Sequence, residues 1–390
     1  MNNLNNKIYF NVVVSLAIAM GIFLFLLFAC FRGNISGFYR IGDTINKSSL
    51  LEGHDLIIFK GTTGYDGQQF LTLALDPFLL DAGTPHALDH PYYRTKRIMY
   101  PFFGYVFGAG SPRFILFSLV LVNVFCLGLL VWIGTLWFKH YAIPESWALR
   151  LLAIPSIWII LTMSTSELLC ATFSLSALYY FQKDRVSWTV LFVTLAIFTR
   201  ETAILLLIVI FLSALIQKKF RYILFLSIPI ILLIAWNTYL YFVLDQKDSG
   251  YLFARHFSFP FNGITEKLHS FVHPNKMDLV FFFDIGTFFL LIFIIIIGGI
   301  TAIKNIRTCP ELSLLFLIQA GSVTLFEITI FDKFIDYTRV CMEIYLYGFL
   351  MLPWSNKVAS KIILLASICI SIGYLIGFVL HSFPNRYILL

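Results

Sequence analysis

Charged residues are scarce in this chain of 390 residues. Asp, Glu, Lys and Arg together make up 13% of the sequence, whereas 59% is hydrophobic. Soluble domains carry about 25% charged residues. Several apolar runs reach the roughly 20 residues that a helix needs to cross a bilayer. The shortage of charge therefore excludes a soluble globular protein. It predicts an all-α, polytopic bundle of transmembrane helices, with residues 1–390 forming a single integral membrane domain.

Several sequence motifs that would indicate other classes of function are absent. None of the six cysteines belongs to a Cys-x-x-Cys pair and no two histidines have the spacing of a zinc motif, so zinc, redox and disulfide chemistry are not favoured. No Gly-rich phosphate loop and no separate basic domain are present, which argues against a nucleotide-sugar donor and against a nucleic-acid partner. The chain also shows no clear internal repeat, which gives no support to a transporter built from inverted repeats.

About eleven apolar segments are predicted to enter or cross the membrane. Their approximate bounds are 8–31, 113–138, 147–163, 165–181, 186–199, 201–217, 220–243, 277–303, 309–331, 339–355 and 360–380. The first lacks a convincing signal-peptide cleavage site and is predicted to be a retained membrane helix. The pairs 147–163 with 165–181 and 186–199 with 201–217 are candidates for hairpins that reach one surface without fully crossing the membrane.

The charges of the short loops predict the orientation. If Lys7 and the N-terminus are cytoplasmic, one face collects the basic residues Lys139, Arg150, Lys183, Arg185, Lys218, Lys219, Arg221, Lys304, Arg307, Lys357 and Lys361. Such loops stay in the cytoplasm. The opposite, extracytoplasmic face receives a long first loop, 32–112, which is expected to contain short helices, and a second loop, 244–276. The polar junctions 164–167, 199–201 and 332–339 fall on this face too. We therefore predict a site at the outer face of the cytoplasmic membrane.

The first loop contains the stretch Gly64-Tyr65-Asp66-Gly67-Gln68-Gln69-Phe70. Residues 67–75 are predicted to form a short helix that ends before Pro77, because a residue preceding proline avoids the α region. Asp66 followed by Gln69 is typical of a capping box at a helix start. Alternatively, Asp66 presents a carboxylate to a substrate, since its two glycine neighbours let another molecule approach closely. The two interpretations are compatible.

A basic cluster follows in the same loop, formed by Arg94, Lys96 and Arg97. One interpretation is anchoring at the membrane interface, where lysine and arginine reach toward lipid headgroups. The other is a site for a phosphate or pyrophosphate headgroup, because the arginine fork can pair two oxygens at once. A cation at that position would also stabilise a phosphate leaving group.

Three polar junctions between apolar segments supply further candidates. Arg200 and Glu201 interrupt two apolar runs with almost no loop around them, and Glu167 follows three hydroxyl residues. Ionisable residues in such places pair with each other or face a cavity. Asp336 and Arg339 stand about one helical turn apart and could pair, or Arg339 could approach the same headgroup as Arg94. A self-satisfied turn or a helix cap remains the alternative for each junction.

The stretches Tyr65-Asp66-Gly67-Gln68-Gln69-Phe70, Ala74-Leu75-Asp76-Pro77 and Tyr93-Arg94-x-x-Arg97-Ile98-x-Tyr100-Pro101 resemble those of bacterial membrane proteins linked to cell-surface glycopolymer formation. The whole chain also looks like the GT-C class of membrane glycosyltransferases. This resemblance implies a polyprenyl-phosphate or polyprenyl-diphosphate sugar donor, with Asp66 at the catalytic acidic position of the first loop. Many GT-C enzymes carry a second acidic residue where this chain has Gly67, so no metal ligand is predicted, although a divalent metal stays possible.

The leading hypothesis is an inverting glycosyltransferase that moves a sugar from a polyprenyl-phosphate donor to a glycan or lipid acceptor. Asp66 would be the general base. The donor phosphate would be bound by Arg94, Lys96, Arg97, Arg200 and Arg339. Supporting residues would be Tyr65, Gln69, Glu167, Glu201 and Asp336. The alternatives are a transporter or flippase of a lipid-linked glycan, and a polysaccharide polymerase.

Overall fold

The structure is a computed structural model that describes residues 2–244, 257–274 and 276–380. Residues 245–256 and 275 of the predicted second loop therefore lie outside the described residues. Within these ranges the fold is all-α. The helices are α1 Asn2–Ala29, α2 Asp66–Leu75, α3 Pro91–Thr95, α4 Met99–Phe107, α5 Pro112–His140, α6 Pro155–Met163, α7 Glu167–Gln182, α8 Val186–Thr199, α9 Ile204–Ile216, α10 Phe220–Phe225, α11 Ser227–Val243, α12 Asn262–Val272, α13 Leu279–Lys304, α14 Pro310–Val323, α15 Ile328–Phe331, α16 Phe334–Val340, α17 Met342–Met351 and α18 Lys357–Val379.

Short elements connect these helices. The 3₁₀ helices cover Ile35–Tyr39, Ser49–Leu51, Pro85–Ala87, Glu145–Ala153, Glu201–Ala203 and Leu352–Trp354. Two strands of two residues each, β1 Ile41–Gly42 and β2 Ile58–Phe59, pair in parallel inside the first loop. Strand is therefore a minor component of the described chain, as a helical membrane protein requires.

The long helices indicate a multi-pass membrane protein. Within the described ranges, five stretches are long and apolar enough to cross a membrane: α1, α5, α10 with α11, α13 and α18. The 3₁₀ helix Glu145–Ala153 and α6 make a sixth if this pair, bent by 60°, is one span. The predicted count of eleven is not confirmed, because α8, α9 and α14 have 13 or 14 residues each and a straight span needs about 20.

The turn between α6 and α7 is polar but lies inside the protein. Ser164 ends α6 in the left-handed conformation, with a φ of 50°. Ser164, Thr165, Ser166 and Glu167 are all buried. Such irregular backbone is tolerated among membrane helices where protein surrounds it. The turn therefore places hydroxyl and carboxyl groups inside the protein rather than in an exposed loop.

The first loop is a folded cap on one end of the bundle. The Tyr39 hydroxyl donates a hydrogen bond to the carbonyl of Leu116 at 2.6 Å, and the Trp236 indole donates to the carbonyl of Thr95 at 3.0 Å. The ring of Phe70 packs edge-on against Tyr100 at 5.5 Å. The short helices α2, α3 and α4, which the sequence analysis predicted in general terms, are thereby fixed relative to the long helices.

Candidate functional site

Asp66 is the first residue of α2, and it does not cap that helix. Tyr65 takes the capping position with extended backbone, and its side chain makes no capping hydrogen bond. The predicted capping box is therefore wrong: the Gln69 side-chain oxygen accepts a hydrogen bond from the backbone N–H of Asp89 at 3.1 Å. The Asp66 carboxylate instead contacts arginines, whose charge-assisted bonds are stronger than a bond to a neutral amide.

The glycines beside Asp66 admit the protein's own chain. Gly64 has a φ of +74°, a conformation that favours glycine. A Cβ atom on Gly67 would lie 2.5 Å from the carbonyl oxygen of Met163, at the end of α6. The sequence suggested that these glycines let another molecule approach Asp66. In the structure, the space beside them is filled by the protein's own backbone and side chains. Gly67 lets the start of α2 lie against the end of α6, and Gly64 lies against the backbone of Gly42 and Arg40.

Two arginines grip the Asp66 carboxylate, one on each oxygen. Arg94 Nη1 lies 2.8 Å from Oδ1, and Arg339 Nη1 contacts Oδ2. The Asp66 side chain is 15% exposed, so it remains within reach of a ligand. Burial raises the pKa of the Asp66 carboxyl, but the charges of Arg339 and Arg94 outweigh burial and hold that pKa well below its usual range. The group is therefore an ionised carboxylate clamped between two cations.

Arg94 is anchored from behind by Asp89. Its Nε and Nη2 donate to the two oxygens of Asp89 at 2.8 and 2.6 Å, which is the bidentate geometry of a strong pair. Gln69 holds the backbone of Asp89 and so supports Arg94 indirectly. The sequence analysis did not assign Asp89 this role, although an acid five residues before a candidate arginine was a usable signal.

Glu167 links Arg339 to one further arginine, Arg200. Its Oε1 lies 3.2 Å from Arg339 Nη1 and 3.4 Å from Arg200 Nη1, and its side chain is 1% exposed. Because Arg339 also contacts Asp66, the charges alternate continuously from Arg94 to Arg200. Residues that are up to 273 positions apart in the chain thus form one network.

Tyr65 and Asp336 complete the network beside Arg339. The Tyr65 hydroxyl donates to Asp336 at 2.5 Å, and the Tyr65 ring centre lies 5.0 Å from the Arg339 guanidinium carbon. Asp336 itself lies 3.9 Å from Arg339. Asp336 and Arg339 therefore pair, which was one of the two predictions from their spacing. Each also contacts the first loop, Asp336 through Tyr65 and Arg339 through Asp66. Tyr65 orders Arg339 through its ring and through Asp336.

Arg97 and Glu201 form a separate pair at the rim. Two parallel bonds of 2.9 and 2.6 Å join them, and the Arg97 guanidinium lies 4.2 Å from the centre of the Tyr93 ring. The Glu201 side chain is 44% exposed. Lys96 stands apart, with its ammonium 4.3 Å from the centre of the Tyr92 ring. The structure thus does not bring Lys96 into the network, and its position favours the anchoring interpretation.

Several buried polar atoms at and near Glu167 have no hydrogen-bond partner in the described part of the chain. Among the described residues, Glu167 Oε2, Arg200 Nε, Arg339 Nε and the hydroxyls of Thr165 and Ser166 are buried without a hydrogen-bond partner. Buried polar groups are normally paired with protein or ordered water. Two guanidiniums with N–H groups to spare, beside hydroxyl donors, suit an anionic oxygen-rich ligand.

Asp284 and Glu343 are buried carboxylates that were not predicted as site residues. Asp284 pairs with Lys267 at 2.6 Å and accepts from the Tyr337 hydroxyl at 2.8 Å. Glu343 accepts from Ser174 at 2.9 Å and from Gln319 at 3.1 Å. Each is an isolated acid within a predicted apolar segment, and that signal marks a functional or structural polar site in a membrane protein.

Neither a metal cluster nor a relative identifies this site. Within the part of the chain that the structure describes, no three His, Cys, Asp or Glu side chains come together in a way that could hold a metal ion. Comparison of the chain with protein-family profiles, with curated proteins and with solved structures finds no match. The geometry of the charged network at the end of the bundle is therefore the main indication of function.

Proposed function

We propose that this protein is a membrane glycosyltransferase that transfers a sugar from a polyprenyl-phosphate donor to a glycan or lipid acceptor. The observation that carries the proposal is the Asp66 carboxylate between Arg94 and Arg339, at one end of a bundle of apolar helices. A carboxylate beside phosphate-binding cations, next to lipid, supports group transfer from a lipid-linked phosphate. The resemblance of residues 65–101 to bacterial glycopolymer proteins points the same way.

The reaction would be a direct displacement at the anomeric carbon. The acceptor hydroxyl oxygen forms the new bond to that carbon, while the bond from the carbon to the phosphate oxygen breaks. Asp66 takes the proton of the hydroxyl, as a general base within hydrogen-bond reach. The electron pair of the broken bond leaves with polyprenyl phosphate, so the configuration at the anomeric carbon inverts.

Arginines would bind the phosphate of the leaving group and stabilise its negative charge. Arg94 and Arg339 are the two cations nearest to Asp66, and Arg200 supports Arg339 through Glu167. Guanidinium forks match phosphate oxygens and keep their charge when buried. Arg97 lies at the rim with Glu201 and would act at the entrance. In this proposal, Glu167, Asp89 and Asp336 position the arginines and do not touch the sugar.

The topology belongs to the same proposal. Eleven membrane segments, with the basic short loops in the cytoplasm, would place the charged network at the extracytoplasmic face of the cytoplasmic membrane. Two contacts from the first loop to the polar junctions, Asp66 with Arg339 and Arg97 with Glu201, support this arrangement. The polyprenyl chain would then lie among the apolar helices, and its phosphate would reach the cap.

Transport of a lipid-linked glycan is the second candidate. Glu343 lies deeper in the bundle, and Glu311 accepts hydrogen bonds from Gln182 at 2.5 Å and Gln217 at 2.8 Å. Buried carboxylates along membrane helices often mark a translocation path. The concentration of arginines at one end of the bundle favours the transferase.

Deletion of the protein is expected to remove one sugar from the cell-envelope glycan and to make its polyprenyl-linked donor accumulate. The transferase proposal predicts that this donor collects in the outer leaflet, where a membrane-impermeant oxidant attacks it in intact cells. Accumulation in the inner leaflet would instead indicate that transport has stopped. An unchanged glycan together with an unchanged pool of lipid-linked sugars would rule out both functions.

A further inference from the structure

Each of the four guanidiniums at this end of the bundle contacts at least one carboxylate. Arg94 contacts Asp66 and Asp89, whereas Arg339 contacts Asp66, Glu167 and Asp336. Arg97 and Arg200 are likewise paired, with Glu201 and Glu167. Four guanidiniums thus face five carboxylates. A phosphate group can bind between Arg94 and Arg339 only if the Asp66 carboxylate gives up its place there.

The carboxylates differ in how easily each could yield. Glu167 is 1% exposed and holds two arginines at once, and Asp89 holds Arg94 through two parallel bonds. Asp66 is 15% exposed, and each of its oxygens contacts one arginine. If Asp66 moves away, Arg94 keeps Asp89 and Arg339 keeps Glu167. Asp66 can therefore leave without stranding a buried cation, whose isolation would be costly. It is also the carboxylate that Arg94 and Arg339 share.

The two oxygens of Asp66 also occupy the positions that suit a phosphate. Arginine binds carboxylates and phosphates through the same fork, with one N–H for each oxygen. Arg94 approaches one oxygen and Arg339 approaches the other. Two non-bridging phosphate oxygens could accept the same two donors while both guanidiniums stay on their outer anchors.

We propose that the Asp66 carboxylate is a built-in competitor, which occupies the site of the ligand's phosphate in the empty protein and is displaced when that phosphate binds. The inference rests on the proposed function for the identity of the ligand as a phosphate, and it adds the coupling between the two groups. Phosphate binding would thereby free the catalytic base at the moment when the donor is in place. Without donor, the base would stay clamped.

Release also changes the chemistry of Asp66. While Arg94 and Arg339 hold it, the carboxylate is a poor proton acceptor, because adjacent cations favour its charged form. Once the anionic phosphodiester of the donor takes both cations, the carboxylate regains basicity. The empty protein is therefore protected from abstracting protons from water or from an acceptor that arrives first.

The test is a binding measurement on purified full-length protein in lipid nanodiscs. Farnesyl phosphate is the lipid-linked probe, inorganic phosphate is the soluble probe, and binding is followed by calorimetry. Asp66→Asn is expected to bind farnesyl phosphate about tenfold to a hundredfold more tightly than wild type, because a charge-assisted bond contributes about that factor when a competitor is removed. Wild type is expected to prefer farnesyl phosphate over inorganic phosphate; equal affinity would mean that the site takes free phosphate.

Asp89→Asn is the matched control, because it also removes a carboxylate from Arg94 but leaves Asp66 in place. It is expected to bind the probe no more tightly than wild type, since Arg94 loses its anchor. Asp66→Ser serves if the asparagine variant does not fold. Wild-type binding without tightening in the Asp66 variants would overturn the competition and leave the proposed function standing. Absence of binding to wild type and all variants would overturn both.

Discussion

Asp66→Asn is expected to abolish sugar transfer while the protein remains in the membrane at its normal level. The amide cannot accept the acceptor's proton, and general base catalysis contributes about 10²- to 10⁴-fold to such reactions. The variant still folds around the same helix start, because Asp66 makes no capping bond in α2. The measurement is the envelope glycan of cells that carry the variant instead of the wild-type gene, compared with the deletion at matched membrane levels.

An acidic residue elsewhere in the first loop supplies the control. Asp55 is exposed, and its carboxylate accepts a hydrogen bond from Asn34 at 3.3 Å, away from the arginines. Asp55→Asn is expected to leave the glycan as in wild type. A normal glycan in Asp66→Asn cells would show that Asp66 is a structural partner of the arginines and would move the transport function ahead.

Arg339→Ala is expected to destabilise the protein strongly and to abolish activity. Arg339 bridges Asp66 and Glu167, and its side chain is 8% exposed. Removing one member of such a buried network leaves charge uncompensated, which costs about 3 to 5 kcal/mol of unfolding free energy. Glu167 would keep Arg200 alone, at 3.4 Å. Thermal unfolding of the purified protein in detergent measures the loss.

Two further variants separate the loss of positive charge from the loss of the planar guanidinium group. Arg339→Lys keeps the positive charge but loses the planar fork, so we expect partial recovery of stability with activity still impaired. Arg150→Ala removes an arginine that lies over the Trp147 ring, at 3.4 Å from its centre, and should leave both properties near wild type. Stability of Arg339→Ala equal to that of Arg150→Ala would contradict the buried network.

The class of the protein and the meeting place of its polar junctions could be predicted from the sequence. Scarce charge and long apolar runs dictate membrane helices, because unpaired backbone groups are not tolerated in lipid. Alternation of helix direction then places Glu167, Arg200 and Arg339 at one end. The structure indeed joins these three to Asp66 from the first loop.

The pairing pattern could not be predicted. Spacing alone suggested that Asp66 and Gln69 form a capping box, but the arginines that compete for Asp66 come from α3 and α16. Local sequence does not reveal such long-range partners. The number of membrane spans could not be predicted from the sequence either. Predicted segments 309–331 and 339–355 are each interrupted in the structure, at Val323 and at Cys341. Lys267 and Asp284 were missed because each lies in a different segment.

Conversion of the lipid-linked donor by purified protein tests the central claim most directly. Lipids extracted from the deletion cells, which would contain the accumulated donor, are reconstituted with wild-type protein and with the acceptor glycan. We expect release of polyprenyl phosphate and appearance of the sugar on the acceptor, both observable by mass spectrometry. A donor that crosses the bilayer chemically intact, with no polyprenyl phosphate released, would contradict the transferase and establish a transporter.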